Sequence, residues 1–169
     1  MARSRATGPA PKLAEGPAFL LSQVGALSAA RFAERLEPLG LKPAHAGVLG
    51  VLRRSDGLSQ QALGDRLGVF PSRLVALLDD LEGRGLVERR DSPADRRSHA
   101  LYLTEAGRGA LEQLARVARE HEDVLCAALD PSERAQLAAL LARIAAEQGL
   151  TPGVHPGFRK LGGGPSRNC

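Results

Sequence analysis

Two short helical patterns lie close together between residues 59 and 83. Ser59 can cap the first pattern, in which apolar residues recur at helical spacing, and Gly68 can end it. Pro71 suits the first turn of the second pattern, and Gly83 can close it. The sequence therefore predicts two short helices joined by a tight turn.

A hairpin is predicted directly after these helices. Residues 86–89 and 99–103 read as two short strands, and the polar segment 90–98 between them contains a proline. Two helices, a tight turn and such a hairpin form a winged helix-turn-helix. An α-helix fits the major groove of B-DNA, the preceding helix braces it across the backbone, and a loop with arginine can reach the minor groove or phosphates.

Longer helical patterns flank this unit. One covers roughly residues 17–38 and can stop at Gly40, and another begins near Pro43. After the hairpin, Thr104 can cap a long helix. A last helix begins at Asp130, where aspartate, proline and a glutamate at the third position form a capping-box pattern.

These elements predict one domain with two tails. Residues 1–16 and 150–169 are rich in glycine and proline, and we expect a disordered tail and a flexible tail there. The domain between them, 17–149, divides into a core at about 43–104 and flanking helices at about 17–38 and 105–148. The fold class is mainly α with a small two- or three-stranded β-wing.

The last helix carries an apolar stripe that a lone winged core of about 60 residues could not cover. The stripe consists of Leu137, Leu140, Leu141 and Ile144. Contact between two copies across a twofold axis is the commonest way to bury such a surface. We therefore expect the flanking helices to form a homodimer.

The overall charge gives little independent support for a nucleic-acid partner. The net charge is +4, but six basic residues lie in segments 1–12 and 150–169, which contain no acid. Without them, 17 basic residues face 19 acidic ones. The case for DNA binding therefore rests on local patterns.

Several other classes of protein lack their motifs. No apolar run reaches the roughly 20 residues that a membrane helix needs, and residues 1–12 lack the apolar segment of a signal peptide, so we expect a cytoplasmic protein without membrane contact. A GxSxG elbow, a phosphate loop and HExxH are all missing, so we predict no catalysis, no cofactor and no metal.

Five motifs follow one another between residues 58 and 107. They are LSQQALGDRLGV at 58–69, PS at 71–72, LEGRGLVER at 81–89, DRR at 95–97 and LTEAG at 103–107. In this order they resemble the DNA-binding core of the MarR family of transcription regulators. Helices before and after the core extend the resemblance to about residues 17–148.

The resemblance implies a homodimer that places two recognition helices in consecutive major grooves of a pseudo-palindromic operator in double-stranded DNA. It also implies a repressor that a small-molecule effector releases. The residues carried over to DNA contact are Ser72, Arg73 and Ala76 in the recognition helix and Asp95, Arg96 and Arg97 in the wing. In this scheme Arg97 enters the minor groove and Asp95 orients the loop.

Three positions depart from the family pattern. Phe70 stands where a small capping residue is usual, and Ala76 and Asp80 stand where basic residues are common. The alternative is a winged-helix protein-interaction module without DNA binding. Asp80 and the excess of acidic residues outside segments 1–12 and 150–169 favour this alternative. The residues that favour DNA are Arg73, Arg89, Arg90, Arg96 and Arg97.

Small residues mark a candidate ligand cleft between the flanking helices and the winged core. Ala44, Ala46 and Gly47 are expected to face the first helix near His45. Such residues could form a cleft or simply allow close helix packing, and both interpretations stay open.

His121 lies among acidic residues, and Glu122 and Cys126 are four residues apart on one helix face. A metal site is conceivable there, but no matching cluster of ligands occurs elsewhere, so a solvated acidic face is favoured. A redox role for Cys126 is disfavoured because a buried, inert thiol is the default for a cysteine in a helix.

Overall fold

In the computed structural model, the described residues are 16–91 and 99–155. Six α-helices occur within these ranges: α1 Pro17–Leu36, α2 Pro43–Arg54, α3 Gln60–Leu67, α4 Pro71–Gly83, α5 Glu105–Leu125 and α6 Pro131–Glu147. Three strands accompany them: β1 Leu58–Ser59, β2 Val87–Asp91 and β3 His99–Leu103. The predicted fold class, mainly α with a small β-wing, is confirmed.

Side-chain caps form where the sequence predicts them. The Ser59 hydroxyl accepts a hydrogen bond from the Ala62 amide at 3.2 Å, and the Thr104 hydroxyl caps α5 in the same way at 2.9 Å. Asp130 and Glu133 cap each other reciprocally at the start of α6. Each cap satisfies a backbone donor that the helix leaves unpaired, and contributes about 1 kcal/mol.

The three strands form an antiparallel sheet in the order β1–β3–β2. Leu101 of the central strand lies opposite Leu58 of β1 and Arg89 of β2. The hairpin strands match the prediction, although β2 runs on to Asp91. β1 was not identified as a strand, because two residues in front of a helix cap carry no strand pattern of their own.

Helix α4 is anchored by its apolar face. Leu74, Leu78 and Leu81 are each at most 1% exposed and belong to the main core. Burying one leucine side chain stabilises a fold by about 1.5–3 kcal/mol. The core therefore holds α4 firmly and leaves its opposite face to solvent.

Gly107 of the LTEAG motif allows α5 to pack against the wing. A Cβ atom at this position would overlap the backbone carbonyl oxygen of Leu86 and lie 3.3 Å from the Leu103 side chain. The same carbonyl accepts a hydrogen bond from the Thr104 amide at 3.2 Å. Only glycine permits this approach, which fixes the start of α5 relative to the wing.

The outer helices expose apolar side chains in the single chain. α6 contains no buried residue, and the residues of its stripe are 37–46% exposed. α1 exposes a second set, which consists of Phe19, Leu20, Leu21, Val24 and Leu27. Among the described residues, none of the helices combines the length and the hydropathy that a membrane span requires.

Candidate nucleic-acid interface

The solvent face of α4 carries the three residues assigned to base contact. Ser72, Arg73 and Ala76 are all exposed, on the side opposite the buried leucines. Pro71 occupies the first turn of α4, and Phe70 precedes it as a half-exposed N-cap residue whose side chain makes no capping hydrogen bond. The start of the helix therefore presents a polar, cationic surface, and the positive end of the helix dipole adds to its attraction for anions.

Arg73 forms no ion pair with any residue in the two described ranges. The nearby carboxylates of Asp79 and Asp80 pair with other cations. Arg89 pairs with Asp79 at 2.6 Å, and Arg84 pairs with Asp80 at 2.8 Å. The guanidinium of Arg73 is thus available to an external anion.

Arg89 braces the wing against the recognition helix. Its guanidinium contacts Asp79 and Glu82 of α4, and its backbone amide donates to Glu82 at 3.4 Å. The Arg89 side chain is only 21% exposed. The sequence counted this residue in favour of DNA contact, whereas the structure uses it to neutralise acids of α4.

Arg90 also makes contacts within the wing. Its guanidinium lies 4.8 Å from the centre of the Tyr102 ring and pairs with Glu88. A cation over an aromatic face is attracted by the ring quadrupole, whose face is partially negative. Arg90 remains largely exposed, so this contact orients the side chain on the outer surface of the hairpin.

The wing tip, 92–98, lies outside the described residues, and with it the predicted contacts Asp95, Arg96 and Arg97. The described ends of the hairpin are paired, with Asp91 opposite His99. The strands β2 and β3 are therefore paired up to the last described residue on each side.

Asp80 contacts a buried histidine of α2. The Nε2 atom of His45 lies 3.0 Å from an Asp80 carboxylate oxygen, and Nδ1 accepts a hydrogen bond from the Lys42 amide at 3.2 Å. His45 is 1% exposed, and this burial lowers the pKa of its imidazole against the opposing effect of Asp80. The ring is therefore neutral near pH 7, with its proton on Nε2 donated to Asp80.

A second tether joins α4 to the segment before α2. Arg84 donates to Asp80 and, through Nη1, to the carbonyl oxygen of Gly40 at 2.9 Å. The hydrogen bond from Arg84 lowers the pKa of Asp80 below its ordinary value. The acid that stands where a basic residue is common thus has two internal partners. Sequence analysis missed this role because His45 and Asp80 are 35 positions apart.

A cavity of about 520 Å³ lies between α1, α2 and α5. Its lining consists of Gly25, Ser28, Ala29, Phe32, Pro43, Ala46, Gly47, His121, Gly153 and His155. Of the three small residues predicted to mark the cleft, Ala46 and Gly47 line this cavity, whereas Ala44 does not line it and packs against the hydrophobic core. Its walls are mainly apolar, as in sites that bind small organic molecules.

His121 is one of the polar residues that line this cavity. Its Nε2 atom lies 3.0 Å from the Ser28 hydroxyl, and its ring lies 5.4 Å from that of Phe32. Burial, aided by Arg35 and Arg31, lowers the pKa of His121. The residue therefore faces α1 rather than a solvated acidic surface, and within the described ranges no group of three or more His, Cys, Asp or Glu side chains could hold a metal.

Comparison with known proteins agrees with this geometry. Residues 39–98 match the sequence model of the MarR family. A protein of Thauera aromatica described as a transcriptional regulatory protein for the hcr operon is 34% identical over 113 residues, which are 67% of this chain and 68% of the relative.

Two solved structures share the fold over most of their length. The transcriptional repressor CouR, bound to a 23-mer DNA duplex, is 38% identical, with a TM-score of 0.70 over 79% of this chain and 94% of CouR. BpsR of Bordetella bronchiseptica, whose DNA binding is regulated by 6-hydroxynicotinic acid, is 25% identical, with a TM-score of 0.68 over 82% of this chain and 98% of BpsR. The chain therefore belongs to the MarR family of transcriptional regulators.

Proposed function

We propose that the protein is a homodimeric repressor that binds a pseudo-palindromic operator and releases it when a small molecule occupies the α1–α2–α5 cavity. The observation that carries the proposal is the outer face of α4. There Arg73 is exposed, while the neighbouring acids are engaged by Arg84, Arg89 and His45. Because the acids on this surface are paired with cations of the protein, they repel phosphates less, and the surface is suited to bind a polyanion.

The contacts divide between two elements. Ser72, Arg73 and Ala76 face base edges in the major groove, where the fork of an arginine can pair with guanine. Asp95, Arg96 and Arg97 form the wing contact, with Arg97 in the minor groove. The complex of CouR with a DNA duplex supports this assignment at the level of the fold.

The exposed apolar faces of α1 and α6 support a dimer. A soluble monomer rarely presents two such helical stripes to water, and burial against a second copy removes both. A dimer also explains how one small domain recognises two half-sites, since its twofold axis matches the symmetry of a palindrome.

The cavity suits a small aromatic effector. Phe32 and the small residues of α2 provide an apolar wall, while His121 and Ser28 provide a hydrogen-bonding edge. The regulation of BpsR by 6-hydroxynicotinic acid supports effector control within this fold. Because the cavity lies between the outer helices and the winged core, occupancy can alter how the two parts pack.

The test begins with selection of duplexes from a random-sequence library by the full-length protein. We expect an inverted repeat to emerge, a dimer in sedimentation at micromolar concentration, and loss of operator binding for at least one compound in a screen of small aromatic acids. A stable monomer, or a library that shows no enrichment, would refute the proposal and favour a protein-interaction module.

A further inference from the structure

The first turn of α2 has two faces with different neighbours. Pro43, Ala46 and Gly47 line the cavity. His45, between them in sequence, is buried and contacts Asp80 of the recognition helix. One helical turn therefore touches the cavity on one side and α4 on the other.

Both nitrogen atoms of His45 are used in this arrangement. Nδ1 accepts from the Lys42 amide in the first turn of α2, and Nε2 donates to Asp80 in α4. Asp80 is also bound by Arg84, which reaches the Gly40 carbonyl in the linker between α1 and α2. Two hydrogen-bonded connections thus run from α4 to the segment that carries the cavity wall.

We infer that the His45–Asp80 hydrogen bond is the link through which the α2 wall of the cavity sets the position of the recognition helix. The inference rests on the proposed function and adds its route of regulation. His45 and Asp80 are positioning residues in this scheme, and neither is assigned to DNA contact.

The physical reason is the burial of His45. If α2 moves and α4 does not, the imidazole loses its acceptor inside the protein, and an unsatisfied buried donor is costly. Movement of both helices together preserves the bond. The favoured response to an occupied cavity is therefore a shift of α4, which changes its fit to the major groove.

Two substitutions at His45 separate this role from a purely structural one. In His45→Asn, the side-chain amide lies near the position of Nδ1, so the hydrogen bond from the Lys42 backbone amide is kept. The shorter side chain does not reach Asp80, so that hydrogen bond is lost. In His45→Gln, the longer amide can donate near the position of Nε2 and keep the contact. Asp80→Asn, which retains an acceptor, and Asp80→Ala, which does not, form the matching pair on α4.

A side chain can replace the unidentified effector. Ala29 lines the cavity from α1, and side chains on a helix lean toward its N-terminus. Ala29→Phe therefore extends over Gly25, where a Cβ atom meets nothing within 4 Å. Ala30→Phe makes the same change at the neighbouring position, which does not line the cavity.

The measurement is the affinity for the duplex selected by the native protein, with thermal unfolding and sedimentation as checks on fold and dimer. We expect Ala29→Phe to weaken binding about tenfold or more, within the usual range of allosteric coupling, and Ala30→Phe to leave it unchanged. In combination with His45→Asn or Asp80→Ala, the effect of Ala29→Phe should fall below about threefold. His45→Gln and Asp80→Asn should preserve it.

The possible failures are distinguishable. One outcome is that Ala29→Phe weakens duplex binding by the same factor in the native protein, in His45→Asn and in Asp80→Ala. That result overturns the inference, but effector control through the cavity still stands. No effect of Ala29→Phe on the native background refutes effector control through this cavity, and the inference falls with it. If His45→Asn fails to fold, the Asp80 pair decides by the same comparison.

Discussion

Arg73 and Arg89 lie in the same candidate interface, yet their replacement by alanine should affect different properties: DNA affinity for Arg73 and stability for Arg89. Arg73 is exposed and forms no ion pair within the described residues, so Arg73→Ala removes nothing that holds the fold. Arg89 is 21% exposed and bridges Asp79 and Glu82. Its loss leaves two acids of α4 without their cation.

The magnitudes follow from these environments. An arginine contact to guanine is worth about 1–3 kcal/mol, so Arg73→Ala should weaken operator binding about 5- to 150-fold and relax base preference at one position in each half-site. The partners of Arg89 are 58% and 40% exposed, and exposed pairs contribute about 1 kcal/mol or less. Arg89→Ala should therefore lower Tm by about 2–4 °C.

Fluorescence anisotropy with the selected duplex and with a random duplex measures affinity, and calorimetry measures Tm. Arg116→Ala, at an exposed position of α5, is the matched control and should change neither quantity. If Arg73→Ala binds the selected duplex as tightly as the control variant does, the base-contact assignment is wrong. A loss of several kcal/mol of stability in Arg73→Ala would show that the residue has an internal role instead.

Three further predictions concern the wing, the packing of α5 and pH. Arg97→Ala should weaken binding to selected and random duplexes alike and reduce the salt dependence by about one counterion, measured by salt titration; a loss confined to the selected duplex would contradict a minor-groove role. Gly107→Ala should destabilise the fold by about 1–3 kcal/mol in urea denaturation, because its Cβ meets the Leu86 carbonyl, and an unchanged midpoint would disprove the close approach. Burial lowers the pKa of His45 in the folded protein, so protonation of this residue favours the unfolded chain. The contribution of neutral His45 to the free energy of unfolding is therefore complete above about pH 6.5 and is lost as the pH falls below that value. His45→Gln should flatten the urea stability profile below about pH 6.5, whereas an unaltered slope there would assign the titration to other groups.

Much of the fold could be predicted from the sequence because helix ends are local. Ser59, Thr104 and Asp130 cap helices through amides only three residues away, so their partners lie within the same short window. Gly68 ends α3 with φ at 63°, and Gly40 ends the short 3₁₀ helix Glu37–Leu39 that follows α1 with φ at 65°, a conformation that glycine adopts without steric cost. The outward position of Arg73 follows in the same way from the spacing of the leucines in α4.

Contacts between distant residues were decided by the tertiary structure. β1 exists because β3 pairs with it, and Arg89 serves as a brace because the turn after α4 returns β2 to the helix that carries Asp79. His121 contacts Ser28, although 93 positions separate the two residues. Through this contact His121, which lies among acidic residues in the sequence, becomes part of the cavity wall. The sequence by itself determined where helices begin and end, through hydrogen bonds within one turn. Which charges are available to DNA depended on side chains that only packing brings together, since a charge is free or neutralised according to its neighbours in space.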